Sequence, residues 1–235
     1  HGKIAELCLD NPARMNAFTT GMLGQLAAHL QVIDHDRTTA AVMLTATGDR
    51  AFCTGADING WGDLSPAEFA RHWVRDGHRI FDRLARLGKP TIAVLTGHAF
   101  GGGLELAAAC DLRVMATGAS LALPEAGVGI VPGWSGTQRL MRLMPEPMVK
   151  EMALFGTRIK AERALACGFV SGVSDTPRAV AEALLERAPD LYDITVFGSE
   201  PYGNYNRILL SPVLAGEKTV DDIMLNTVQW YDDNN

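Results

Sequence analysis

A nearly continuous apolar run that leads into a glycine triplet and then into a helix is the feature that most constrains this chain. Residues 91–95 read Thr-Ile-Ala-Val-Leu, residues 101–103 are glycines, and an alanine-rich helical pattern follows toward Asp111. A strand apolar over almost its whole length is buried on both faces, which is typical of a parallel sheet covered by helices. The sequence therefore predicts an α/β protein.

The same alternation of strand and helix patterns extends to both sides of this segment. Apolar runs at 4–9, 41–45 and 112–115 alternate with helical patterns at 20–34 and 65–87. Strands and helices that alternate across short links predict parallel pairing. The 235 residues suffice for one domain with a full core and an appendage.

The charge of the chain is distributed unevenly. The net charge is −6, and residues 183–235 carry nine acidic and three basic residues, so the first 182 residues are balanced. An acidic chain disfavours nucleic acid or an anionic membrane as the main partner. We therefore predict a core domain at 1–182 and an atypical acidic C-terminal segment at 183–235.

Several functional classes are disfavoured by motifs that the sequence lacks. The most apolar stretch, residues 91–110, contains His98, Glu105 and the glycine run, so it does not predict a membrane span. A strand pattern opens the sequence, and we expect a cytoplasmic protein. Neither C-x-x-C nor H-E-x-x-H occurs, so we expect no metal site, and G-x-S-x-G and the P-loop signature are also missing.

The glycine triplet predicts an anion site. Glycines between a strand and a helix let the backbone approach a ligand, and the N–H groups that open a helix attract negative charge. Gly102 is therefore a candidate oxyanion donor. Glu105 follows within the first helical turn among apolar neighbours; it is either a buried functional carboxylate or an acid that the helix dipole favours.

Two further segments are candidates for the same site. Glu125 is the only carboxylate in the apolar, glycine-rich run 121–133, where it is either a partner of Glu105 in acid–base chemistry or a turn acid. Gly55 permits an open turn in the segment 52–57, which follows the strand pattern at 41–45, so the N–H of Ala56 can point into a cleft.

These motifs resemble the crotonase superfamily, whose best-known member is enoyl-CoA hydratase. The similarity covers about residues 3–175 in the family's order, and it rests on the following segments: Asn11-Pro12 to Asn16-Ala17, Ala51 to Ile58, Lys89-Pro90, Gly97 to Asp111, Pro124-Glu125, Gly129 to Gly133 and Gly136 to Leu140. The resemblance implies a spiral of ββα units. It also implies a homotrimer or a dimer of trimers.

The resemblance further implies a coenzyme A thioester as substrate, with no cofactor besides the coenzyme A of the substrate, in fatty acid metabolism. The N–H groups of Ala56 and Gly102 would form the oxyanion hole, Glu105 and Glu125 would be catalytic, and the Gly133 N–H would hold the attacking water. Because both glutamates are present, hydration of a 2-enoyl-CoA is the leading hypothesis. An enoyl-CoA isomerase, another thioester reaction, or a non-catalytic module of the same fold are the alternatives.

Three features depart from the family pattern. Trp134 and Ser135 stand where the family usually has small residues, so the indole either narrows the acyl pocket or packs in the core. Leu123 stands where the family usually has glutamine or a similar residue. Segments 190–201 and 204–212 resemble part of the FAD domain of nitrite reductase large subunits but lack the glycine-rich pyrophosphate turn. On the tail alone, a flavin oxidoreductase is a further alternative.

Overall fold

Two sheets form the framework of the protein. The computed structural model describes residues 4–61 and 64–191, with side chains up to residue 185. The first sheet has five strands in the order β1-β2-β4-β6-β9, and each neighbouring pair is parallel. Its strands are β1 (Ile4–Leu9), β2 (Ala41–Ala46), β4 (Thr91–Leu95), β6 (Leu112–Ala116) and β9 (Gly172–Ser174).

The second sheet contains the strands β3, β5 and β7, which directly follow β2, β4 and β6 along the chain. It has the order β3-β5-β7-β8, parallel except for the last pair. Its strands are β3 (Ala51–Cys53), β5 (His98–Phe100), β7 (Ser120–Ala122) and β8 (Ile159–Lys160). Each of β2–β3, β4–β5 and β6–β7 is a strand pair followed by helical structure, so the predicted α/β class and the ββα spiral are confirmed.

Helices cover the sheets and connect the repeats. The α-helices of the described chain are α1 (Thr20–His35), α2 (Pro66–Glu68), α3 (Asp76–Ala85), α4 (Gly102–Ala107), α5 (Gly136–Leu143), α6 (Glu146–Phe155), α7 (Ala161–Ala166) and α8 (Pro177–Leu191). The Thr19 side chain accepts a hydrogen bond from the Met22 N–H and so caps the N-terminus of α1. The alanine-rich helix that was expected to reach the vicinity of Asp111 ends at Ala107, and turns follow it.

The helix predicted from residue 65 to 87 contains an irregularity that the sequence pattern does not show. It begins with a capping box in which Ser65 and Glu68 exchange side chain–backbone hydrogen bonds. It then continues as a π-helix over Phe69–Arg75 before it becomes α3. Wider turns of this kind are rare and occur frequently at functional sites.

An aromatic cluster joins this helix to the rest of the core. The Trp134 ring lies 4.9 Å from the Phe81 ring, 5.2 Å from Trp73 and 5.8 Å from Phe18, measured between centroids. The indole Nε1–H donates to the Trp73 carbonyl at 3.1 Å. A Cβ at Gly77 would lie only 2.1 Å from Nε1, so only glycine admits the indole at this place on α3.

The C-terminal end of the described chain bears on the predicted domain division. The elements up to Glu186 belong to one compact unit. Helix α8 is continuous across residues 182 and 183, where we expected a separate acidic segment to begin. Residues 192–235, with nearly all of the similarity to a nitrite reductase FAD domain, lie outside the described residues, so the division and that resemblance stay predictions. In the described chain, no helix has the length and apolar character needed to cross a membrane.

The ion pair between Glu6 on β1 and Arg178 on α8 provides a test of how α8 is held. Both carboxylate oxygens accept from the guanidinium, at 2.6 and 2.9 Å. Because that contact and the Thr45 hydroxyl favour the ionised form, the pKa of Glu6 falls from 4.5 to about 2. The Glu6 carboxylate is about a third exposed (35%), so we expect Glu6→Gln to lower the free energy of unfolding at neutral pH by about 1 kcal/mol.

The pH dependence of that loss follows from the lowered pKa. The pair stabilises the fold fully above about pH 4.5, and its contribution disappears as the pH falls toward 2. Urea denaturation should therefore show a difference between wild type and Glu6→Gln that shrinks as the solution is acidified. Glu182→Gln, which removes the other partner of Arg178, is the matched control and should have the smaller effect at neutral pH. Equal effects would contradict this account.

A second prediction concerns the packing of the Trp134 indole against Gly77. Gly77→Ala should lower the free energy of unfolding by ~1–3 kcal/mol, because the added methyl group overlaps the buried indole. Gly24→Ala on α1 is the control: nothing lies within 4 Å of its Cβ position, so this change should be neutral or stabilising. Denaturant unfolding of both variants measures the difference. Equal stability of the two variants would show that Gly77 is not required by close packing.

Candidate active site

All six residues that the sequence proposed for the site line one cavity. The cavity has a volume of about 470 Å³ and lies where the turns after β3, β5 and β7 meet. The lining includes the predicted residues Ala56, Gly102, Glu105, Glu125, Gly133 and Trp134. Phe69, Trp73 and Val74 of the π-helix form an apolar wall. The cavity therefore combines two carboxylates with a mostly apolar surface, which suits an acyl group with one reactive polar end.

Two backbone turns approach each other at the predicted oxyanion hole. Gly55 has φ +97°, and a Cβ there would lie 3.2 Å from the Gly102 nitrogen and 3.3 Å from the Phe100 carbonyl oxygen. Phe18 bonds the groups on either side of Ala56: its N–H donates to the Gly55 carbonyl at 2.7 Å, and its carbonyl accepts from the Asp57 N–H at 2.8 Å. Within residues 4–61 and 64–191, the N–H groups of Ala56 and Gly102 have no hydrogen-bond acceptor. Both donors are available to a ligand.

A glycine in an unusual conformation brings Glu125 beside this pair of donors. Gly101 has φ +50° and ψ −125°, and a Cβ there would lie 2.8 Å from Glu125 Oε1. An L side chain would be strained in this conformation and would displace the carboxylate. The glycine triplet 101–103 thus has two functions: it exposes the Gly102 N–H, and at Gly101 it leaves space for the Glu125 carboxyl group.

Glu105 is a buried carboxylate that backbone donors hold in place. Only 2% of the residue is exposed, and Oε1 accepts hydrogen bonds from the N–H groups of Trp134 at 2.8 Å and Gly136 at 2.6 Å. Burial raises its pKa, whereas the N–H groups of Gly136, Trp134 and Gly133 and the positive charge of Arg139 oppose the rise. The Gly133 N–H, which was expected to hold a water molecule, thus lies close to the Glu105 carboxylate as well.

Glu125 is buried without comparable support. It begins the 3₁₀ helix Glu125–Val128, is 8% exposed, and its Oε2 has no hydrogen-bond partner in the described structure. Burial raises its pKa from 4.5 to about 7; its own N–H opposes the rise and the charge of Glu105 adds to it. The two carboxyl groups therefore differ in environment: backbone N–H groups and a positive charge oppose the effect of burial at Glu105, whereas Glu125 lacks comparable donors.

Trp134 combines the two interpretations that its sequence position allowed. Its indole is 3% exposed and packs in the aromatic cluster, yet it also forms part of the cavity wall. A Cβ on Gly102 would lie 2.5 Å from Cζ3 of the indole, so the ring lies directly against the predicted oxyanion donor. A cavity remains beside the ring, which shows that the indole does not fill the pocket.

Sequence reasoning missed the residues that fix these groups from outside the cavity. Gly77 could have been noticed as a lone glycine inside a helical pattern, which often marks a close approach. Arg139 lies in a motif of the resemblance, but nothing local to it indicates contact with the Trp134 carbonyl. Asp57, which follows the candidate oxyanion donor Ala56, accepts from the Asn59 N–H at 3.2 Å and pairs with Arg14. No group of three or more His, Cys, Asp or Glu in the described ranges is arranged to hold a metal ion.

Comparison with known proteins extends the similarity beyond the motifs. The family model described as enoyl-CoA hydratase/isomerase matches residues 1–195, further than the 3–175 of the resemblance. The chain is 35% identical to the short-chain-enoyl-CoA hydratase of Clostridium acetobutylicum, over 80% of this chain and 74% of that protein. It is 37% identical to the crotonyl-CoA hydratase of Syntrophomonas wolfei, over 73% and 65%, so it spans slightly less than two thirds of that relative.

Solved structures show the same relationship. An enoyl-CoA hydratase from Bacillus anthracis superposes with a TM-score of 0.77 at 33% identity, over 80% of this chain and 74% of that one. The structure of DspI from Pseudomonas aeruginosa gives a TM-score of 0.78 at 29% identity, over 100% and 89%. With its spiral of ββα units and its family-model match over most of its length, the chain belongs to the enoyl-CoA hydratase/isomerase family.

Proposed function

We propose that this protein is a hydro-lyase that adds water across the double bond of a 2-enoyl-CoA thioester. The observation that carries the proposal is the unequal pair of buried carboxyl groups, Glu105 and Glu125, beside two unused N–H donors in one cavity. The names of the relatives, several of them enoyl-CoA or crotonyl-CoA hydratases, support the same substrate class. Coenzyme A enters as part of the substrate, and no further cofactor is proposed.

The backbone donors would stabilise the charge that forms during hydration. When water attacks the β-carbon, electron density moves to the thioester oxygen and an enolate-like species develops. The N–H groups of Ala56 and Gly102 are free to donate to that oxygen. A fixed donor aimed at a developing oxyanion typically contributes ~3–4 kcal/mol to catalysis.

The carboxyl groups would divide the proton transfers. Glu105, to which two backbone N–H groups donate, would be the base that accepts a proton from water while the water oxygen bonds to the β-carbon. Glu125, whose pKa is about 7, gives its proton to the α-carbon. One water molecule is added in total, and transfer of a proton from Glu105 to Glu125 through solvent restores the starting state.

An enoyl-CoA isomerase is the second candidate. Two carboxyl groups on one cavity can also move a proton between carbon atoms, and one relative, from Zymoseptoria tritici, is named an enoyl-CoA isomerase/hydratase.

We propose a cytoplasmic homotrimer or dimer of trimers, as the resemblance implies. Apolar side chains that stay exposed in the single chain, Val131 at 78%, Leu154 at 65% and Phe155 at 80%, support association with further protein surface.

The direct test is incubation of the purified protein with crotonyl-CoA. Loss of the ultraviolet absorbance of the conjugated thioester, with formation of 3-hydroxybutyryl-CoA by mass spectrometry, supports the hydratase. A product of unchanged mass with a shifted double bond, from a longer 2- or 3-enoyl-CoA, indicates the isomerase. Binding of thioesters without any turnover would indicate the non-catalytic module.

Removal of either carboxyl group should abolish most of the activity. We expect Glu105→Gln and Glu125→Gln each to lower kcat by ~10²–10⁴-fold, because glutamine keeps the shape and cannot transfer the proton. Thioester affinity, measured by calorimetry, should change little. Glu162→Gln on the exposed face of α7 is the control for the loss of one negative charge. Near-full activity in either active-site variant would contradict the mechanism with two glutamates.

The pH dependence of hydration should reflect the two environments. Since Glu125 must carry a proton, kcat/KM should fall as the pH rises above about 7. On the acid side it should fall as Glu105 becomes protonated, and burial places this limb above the ordinary carboxyl value of 4.5. A profile that stays level well into the alkaline range would contradict the role of Glu125 as the acid.

Trp134 should limit the length of the acyl group. Trp134→Ala removes an indole from the cavity wall, so the ratio of kcat/KM for octenoyl-CoA to that for crotonyl-CoA should rise; one methylene in a pocket is worth ~1–3 kcal/mol. Phe81→Leu is the matched control, because Phe81 belongs to the same aromatic cluster and does not line the cavity. An unchanged profile in folded Trp134→Ala would show that the indole only packs.

A further inference from the structure

We propose that Arg139 is a positioning residue for the active site: by binding the Trp134 carbonyl and Asp82, it holds in place the turn whose N–H groups bind Glu105. Its Nη1 donates to the Trp134 carbonyl oxygen at 2.9 Å, and its Nη2 lies 3.3 Å from Asp82 Oδ1. Arg139 does not line the cavity. It would therefore act on the reaction only through other residues, and this inference rests on the proposed function.

The turn between Gly133 and Gly136 needs external support. Ser135 adopts a left-handed conformation with φ 68°, which is unfavourable for a residue with a side chain. The turn nevertheless directs the N–H groups of Trp134 and Gly136 at the same oxygen of Glu105. A Cβ at Gly136 would lie 2.3 Å from Glu105 Cγ, so only glycine leaves room for the Glu105 side chain at this position. Small movements of this turn would change both hydrogen bonds.

The helix opposite the turn supplies three contacts along one face. The Trp73 carbonyl accepts from the Trp134 indole, His78 Nδ1 bonds to the Ser135 hydroxyl, and Asp82 pairs with Arg139. Among the three side chains that meet this helix (the Trp134 indole, the Ser135 hydroxyl and the Arg139 guanidinium), only that of Arg139 also donates to the backbone of the turn. Trp134 is therefore held at its N–H by a carboxylate and at its C=O by a guanidinium.

The charge of Arg139 is poorly hydrated and incompletely neutralised. Its side chain is 15% exposed, whereas that of Asp82 is 37% exposed. A buried guanidinium is costly, so its retention beside an active-site carboxylate calls for a function. Arg139 is a cation that acts on the Glu105 carboxylate and opposes the rise in its pKa, and Asp82 lies behind it; Glu125 is the second carboxyl group of the same cavity.

Carboxyl titration of Glu105 tests the proposal without reference to turnover. In protein labelled with ¹³C at the glutamate carboxyl carbons, with Glu105→Gln used for assignment, we expect Arg139→Gln to raise the pKa of Glu105 by about one unit. Arg139→Lys, which keeps the charge but cannot make both contacts, should titrate between wild type and Arg139→Gln. Arg142→Gln is the matched control, because it makes the same charge change on the exposed surface of the same helix. Equal titration in Arg139→Gln and Arg142→Gln would overturn the proposal.

The positioning of the turn by Arg139 can be measured separately, and this measurement also tests the proposal if Arg139→Gln does not fold. Lysine has one nitrogen where arginine uses two, so Arg139→Lys should loosen the turn. The amide hydrogens of Trp134 and Gly136 should then exchange about tenfold faster, as for the loss of one charge-assisted hydrogen bond. Unchanged exchange would overturn the positioning role. Lack of hydration of any enoyl thioester by the wild type would refute the proposed function and leave both measurements valid.

Discussion

The structure of the site depends on a buried carboxylate that is bound by the backbone of a distant segment. Glu105 lies 29 and 31 residues before the N–H groups that bind it, on Trp134 and Gly136. These bonds offset the cost of removing the carboxylate from water, and they fix the turn at which α5 begins. The position of the Trp134 indole, and with it the shape of the cavity, follows from the same contact.

Glycines determine which groups can come together around this carboxylate. At Gly136 a side chain would collide with Glu105, at Gly101 with Glu125, and at Gly102 with the indole. The result is a pair of carboxyl groups in contrasting environments: Glu105 has several donors, while one oxygen of Glu125 has none in the described structure. Contrasting environments are what allow one carboxyl group to act as a base and another as an acid at the same pH.

Local sequence patterns predicted β1, β2, β4 and β6 of the first sheet and the helices that begin near residues 20 and 65, because hydrophobic periodicity acts over a few residues. The short strands of the second sheet were not predicted. The motifs of the resemblance contain five of the six predicted residues that line the cavity, and the sixth, Trp134, was identified as a departure from the family pattern. Contacts between distant segments could not be predicted in this way. The fit of Trp134 against Gly77 and the bond of Arg139 to Asp82 each join residues 57 apart, as numbered in the chain, and neither leaves a periodic signal. The π-helix that forms one wall of the cavity could not be predicted either, because the sequence pattern of residues 69–75 is that of an ordinary α-helix.

The central claim is the proposed division of roles: Glu125, which has an oxygen without a hydrogen-bond partner in the described structure, holds the proton, and Glu105, which accepts two backbone N–H bonds, is the base. Infrared difference spectra near pH 6 test it most directly, because a protonated carboxyl group has a carbonyl band distinct from that of a carboxylate. The account predicts that this band is present in wild type, persists in Glu105→Gln and is lost in Glu125→Gln. A band that disappears with Glu105→Gln and persists in Glu125→Gln would contradict it.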